Sequence, residues 1–155
     1  MRRILLLTVS AIALIALVSL PIVAEQPKGA DATKELEKFQ GRWSTVSRVD
    51  DGKASTEEDT TNHVITIKGN LLTVLNKDKE VATGRLKLDP SKNPAEYELT
   101  YESGPNKGTA RKGIYKFEGD ILTTCLAGVG KEPPKEFASK PDSGATLFIQ
   151  KRDKR

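Results

Sequence analysis

The groups in this 155-residue chain that could do covalent or acid–base chemistry are one histidine, one cysteine and a set of carboxylates. Their spacing assembles no catalytic set. A thiol nucleophile needs an adjacent base, and His63 and Cys125 fall on separate strand-like segments, so Cys125 reads as a small buried hydrophobe and His63 as a residue near a strand end. Gly128-Val129-Gly130-Lys131 has the glycines and lysine of a phosphate loop, but Cys125 stands where the first loop glycine belongs and Glu132 where a serine or threonine would hold a metal. Asp50 and Asp51 with Glu57, Glu58 and Asp59 offer oxygens to a hard cation, yet the spacing matches no compact calcium loop and reads as a solvated connection. No serine lies in a nucleophile elbow. The expectation is therefore a non-enzymatic protein with no catalytic residues, no metal ligands and no cofactor.

Binding is chemically better supported than catalysis. Tyr97 and Tyr101 on one segment, and Tyr115 and Phe117 on the next, alternate with polar residues and would line a cup whose hydroxyls orient a ligand. Thr45 and Ser47 fall on the same strand face as Trp43, and buried hydroxyls there need partners that water or a ligand could supply. The competing reading is core filling, because side chains alone can fill a barrel of about eight strands.

These residues must be positioned by strands. The pattern from Arg42 onward alternates with period two and is broken by turn signals, giving candidate strands at 42–49, 63–68, 71–76, 81–88, 96–102, 109–117, 121–127 and 145–152. Gly69-Asn70 suits a two-residue hairpin, and Asp89-Pro90 through Pro94 ends a strand because prolines cannot continue a ladder. Hairpin-length links imply an antiparallel meander, and a meander this long is expected to close, since an open sheet would leave two unpaired edges. Gly41 lets the chain turn so that Trp43, the single tryptophan, swings under the sheet as its floor. Arg152 in the last strand is its expected partner, stacked on the indole and donating to nearby carbonyls. A short helix, Lys34 to Phe39 with Thr33 before it, is expected to plug that end. The fold class is thus all-β, an antiparallel meander of about eight strands closed into a small lipocalin-like barrel with a short N-terminal helix.

The address is written in the first two dozen residues. Met1-Arg2-Arg3 precedes a nearly unbroken apolar run from Ile4 to Leu20 and then Pro21-Ile22-Val23-Ala24, the layout of a signal peptide. The expected organisation is a signal peptide or uncleaved anchor over 1–24, a flexible spacer over 25–33, the barrel domain over 34–152 and a basic tail over 153–155. Ile22 is larger than the cleavage position prefers, so N-terminal membrane anchoring is the alternative to release into the periplasm or the medium. Without Arg2 and Arg3 the chain carries 23 basic against 21 acidic residues, too balanced for a nucleic-acid partner. An exported chain with one cysteine has no internal disulfide, so its stability must come from its core.

Four ordered segments carry a resemblance: Leu36-Glu37-Lys38-Phe39-Gln40-Gly41-Arg42-Trp43, Leu86-Lys87-Leu88-Asp89-Pro90-Ser91-Lys92-Asn93-Pro94, Gly113-Ile114-Tyr115-Lys116-Phe117-Glu118-Gly119-Asp120, and Pro134-Lys135-Glu136-Phe137-Ala138-Ser139-Lys140-Pro141. The chain resembles the planctomycete family of uncharacterised, exported lipocalin-like domains over about 34–152. The resemblance implies the barrel and the export, and carries no activity with it. Two functions are expected, the first as the leading reading and the second as its alternative. One is an exported domain that binds a small hydrophobic or amphipathic molecule. The other is an envelope interaction or structural module with a filled barrel that touches a protein partner through its loops.

Overall fold

A computed structural model describes residues 28–154. The leader assigned to residues 1–24 lies outside them. Helix α1 (Lys28–Phe39) begins well before Thr33, so much of the stretch expected as a flexible spacer is helical and Thr33 lies inside the helix. Ala30 and Ala32 favour helix, in keeping with the extension. Gln40 then leads to Gly41, whose φ of +114° is a conformation that L side chains rarely adopt. Gly41 is what allows the helix to stop and β1 to start within two residues.

Strands follow in meander order: β1 (Gly41–Asp50), the two-residue β2 (Lys53–Ala54), then β3 (His63–Lys68), β4 (Leu71–Asn76), β5 (Lys79–Asp89), β6 (Ala95–Tyr101), β7 (Ala110–Glu118), β8 (Ile121–Leu126) and β9 (Thr146–Arg152). Each from β3 onward pairs antiparallel with the next. Closure falls on β1, which pairs with β3 over Gly41 to Ser44 and with β9 from Trp43 to Asp50. Eight strands thus form a closed barrel, with β2 an appendage on the end of β1. The end that carries α1 and the β3–β4, β5–β6 and β7–β8 turns is the floor; the remaining connections gather at the opposite, loop end.

A second helix, α2 (Glu57–Asn62), occupies the stretch expected as an open acidic connection. Thr56 caps it, its hydroxyl accepting from Asp59 N at 3.1 Å. Glu57, Glu58 and Asp59 form its first turn, where the helix dipole favours negative charge. The acidic cluster is thus explained by a helix start, and no metal-binding group of three or more ligands occurs among the described residues.

The core lies inside the barrel. Trp43, Ile65, Ile67, Leu72, Leu86, Tyr97, Leu99, Tyr115, Leu122 and Leu126 come from successive strands, and Phe39 closes the set from α1. Tyr97 lies across Gly113, where a Cβ would meet its ring at 2.6 Å, so the glycine is the space the tyrosine fills. A smaller cluster, Ile114, Cys125 and Ala145 with Phe137 and Leu147, sits outside the barrel under the long β8–β9 connection. The connection packs as a strap over β7–β9. Cys125 is fully buried beneath it, and burial raises its thiol pKa, which leaves the thiol protonated and unreactive.

Candidate functional site

Two regions compete for the ligand role, and they occupy opposite ends of the barrel. At the floor, the ring of Phe39 stands edge-on to Tyr115 and to Phe117, each at 4.9 Å between centroids. Trp43 lies 5.9 Å from Phe117, and its Nε1 donates to Phe39 O at 2.8 Å. Arg152 covers the indole with its guanidinium carbon 4.2 Å from the ring centroid, and donates to the carbonyls of Lys38, at 2.7 Å, and Gln40. Gly41, Trp43 and Arg152 therefore form one closure unit. Tyr115 and Phe117, expected as ligand neighbours, belong to this packed floor. Tyr115 Oη is buried beside the Glu35 carboxylate, and burial first, that carboxylate second, hold its pKa up.

Above the floor the filling is incomplete. A cavity of about 80 Å³ remains, walled by inward-facing aliphatic residues of β3, β4, β5, β6 and β8, with Tyr97 and Tyr101 among its lining. Its polar groups are His63, Thr124 and Gln150. Tyr97 and Tyr101 are thus brought to the cavity, while Tyr115 and Phe117 are not among its walls.

Thr45 and Ser47 separate, against the expectation that both face inward. The β1–β9 register shifts between Thr45 and Ser47, so Val46 is the extra residue of a β-bulge. Thr45 still opposes Gln150 on the inside, but Ser47 opposes Ile149 and so lies on the outer face. Arg48 and Asp50 take the inward positions opposite Phe148 and Thr146. The slip reverses the facing of every later residue of β1. Sequence reading missed Arg48 and Asp50 for that reason: strict alternation puts them outside.

The bulge builds a polar cluster at the loop end. Gln150 Nε2 donates to Thr45 Oγ1 at 3.4 Å, and Thr45 Oγ1 lies 2.8 Å from His63 Nδ1, so a hydroxyl donating to a neutral imidazole completes one directed chain. The imidazole stacks on Phe148 at 5.2 Å, and the Arg48 guanidinium covers the same ring at 5.5 Å while its Nε lies 2.6 Å from Asp50 Oδ2. Burial first, and the Arg48 charge second, lower the His63 pKa from 6.5 to about 4, with Asp50 opposing. The folded protein therefore carries His63 neutral at neutral pH.

This has a measurable consequence. Between pH 6.5 and 4 the unfolded chain binds a proton at His63 that the folded chain refuses, so stability falls as the pH drops through that window. The loss at the acid end is expected to reach roughly 3 kcal/mol relative to His63→Gln, which has nothing to titrate there. Urea midpoints of the two proteins at pH 7, 5.5 and 4.5 would diverge; parallel curves would mean that the imidazole is not shielded.

The chain matches no protein-family model, no curated protein and no solved structure, so the reading of this site rests on its own geometry.

Proposed function

We propose that this is an exported, non-enzymatic domain that holds a small, slender hydrophobic or amphipathic molecule by its apolar end inside the barrel. The observation that carries the reading is the cavity itself: aliphatic walls above an aromatic floor, with polar groups gathered toward the loop end. Such a layout gives an alkyl group a dry seat and leaves a polar head near water. The leader sequence supports export.

Size restricts what fits. The cavity measures about 80 Å³. Pockets for drug-sized molecules run to about 300–1,000 Å³. A short alkyl group, or the end of a longer chain whose remainder emerges, is the occupant this volume admits. Calorimetric titration with linear alcohols from butan-1-ol to decan-1-ol tests this. Affinity is expected to rise about fourfold per methylene, from about 0.8 kcal/mol each, and then level off once the seat is full. Absence of saturable binding at every length would overturn the proposal. It would favour the second reading, an interaction module, for which the packed floor of Phe39, Trp43, Tyr115 and Phe117 already speaks.

A further inference from the structure

We infer that the molecule seated in the barrel is an amphipathic organic anion whose charged group lies beside Arg111, an inference that rests on the binding reading above. Arg111 directly opposes Leu99 across β6–β7, and Leu99 lines the cavity, so the register turns Arg111 toward the interior. With Arg48 and Asp50 it completes the half-buried charged side chains that the strands direct inward at the loop end. Arg48 and Asp50 compensate each other. Arg111 has no such partner: among the described residues it forms no ion pair.

Neutral groups hold it instead. Its Nε donates to Ala127 O at 2.6 Å, and its Nη2 lies 3.3 Å from Leu126 O, 3.4 Å from Gly144 O and 3.3 Å from Thr146 Oγ1. These acceptors orient the guanidinium plane and satisfy one edge, but they leave its charge uncompensated. Nη1 has no protein acceptor among the described residues. A guanidinium so held keeps its Nη1 donors for a ligand, and a charge-assisted hydrogen bond from them suits a carboxylate or a similar oxyanion. Arg111 is not one of the residues that wall the cavity, but Leu99, which it opposes, and Leu126, whose carbonyl lies 3.3 Å from its Nη2, both are, so the cation stands next to the cavity on its loop-end side. An anion with a short apolar tail satisfies both features at once. A cation of the same length meets the unopposed charge.

Three probes of equal length separate head group from tail: hexanoate, hexan-1-ol and hexylammonium, titrated calorimetrically into the protein at pH 7.5 and low salt. Hexanoate is expected to bind at least tenfold tighter than hexan-1-ol, and hexylammonium more weakly than either. Arg111→Gln should bring hexanoate and hexan-1-ol within twofold of each other, whereas Arg111→Lys, which keeps the charge without the fork, should retain part of the preference. Equal affinity of the native protein for acid and alcohol overturns the inference while leaving the binding reading intact. Binding of neither probe removes the binding reading and this inference with it. If Arg111→Gln does not fold, the native comparison and Arg111→Lys decide the question.

Discussion

Trp43→Ala is expected to lower the free energy of unfolding by about 3–5 kcal/mol, the range for truncating a buried aromatic. Trp43 is 0% exposed, and three interactions meet on it: packing against Phe117, the Nε1 bond to Phe39 O and the Arg152 guanidinium over its face. Truncation leaves a void at the strand where the barrel closes, and it leaves Phe39 O without its donor. Arg152→Ala should move stability in the same direction by about 1–2 kcal/mol, because it removes a half-exposed cation–π contact and the donors to Lys38 O and Gln40 O. Urea unfolding monitored by far-ultraviolet circular dichroism reads both, as a shifted midpoint at unchanged slope. Should Trp43→Ala not fold, Trp43→Phe gives an intermediate loss. A Trp43→Ala protein with the native midpoint would show that closure does not depend on this side chain.

Phe39→Ala should cost a similar amount, about 3–5 kcal/mol, and should also change what the barrel can hold. Phe39 is 1% exposed, plugs the floor from α1 and is at the same time part of the cavity wall. Removing its ring merges the vacated space with the cavity above. In the alcohol series the chain length at which affinity levels off is then expected to move upward by several methylenes. A saturating long-chain alcohol should restore part of the lost stability, about 2.7 kcal/mol at a hundredfold excess over its Kd. A variant that loses stability without any change in chain-length preference would separate the floor from the binding seat. It would also weaken the case that the cavity is a site at all.

The stability and binding predictions are coupled through the same core. The floor is a packed aromatic cluster, with Phe39 edge-on to Tyr115 and Phe117. The loop end differs: it holds a neutral imidazole on the cavity wall, the Arg48–Asp50 ion pair and, in Arg111, a guanidinium that forms no ion pair among the described residues. Polar groups in such a setting lower stability unless they are satisfied. That contrast between an aromatic floor and a loop end rich in polar and charged groups directs the functional reading to the loop end.

Much of the architecture was legible in the chain alone. Period-two alternation, punctuated by Gly69-Asn70, Asp89-Pro90 and Gly119, places the barrel strands within a few residues of where they lie, because pleat and turn chemistry are local properties. The pairing of Trp43 with Arg152 was legible too, since the first and last strands of a closing meander must meet. Features set by a partner's register or by packing at a distance were not. The bulge at Val46 exists because of how β1 fits β9, and it alone sends Ser47 outward and Arg48 and Asp50 inward. The strap over Ile114 and Cys125 depends on where a long connection comes to rest. The division of the aromatic set into a packed floor and a cavity wall depends on how far Phe39 enters the barrel. The sequence by itself determined the strands, their order and the closing pair, since these follow from local alternation and meander geometry. Only the tertiary structure decided which polar groups face the interior and how much space they enclose, because both depend on the register and packing of strands far apart in the chain.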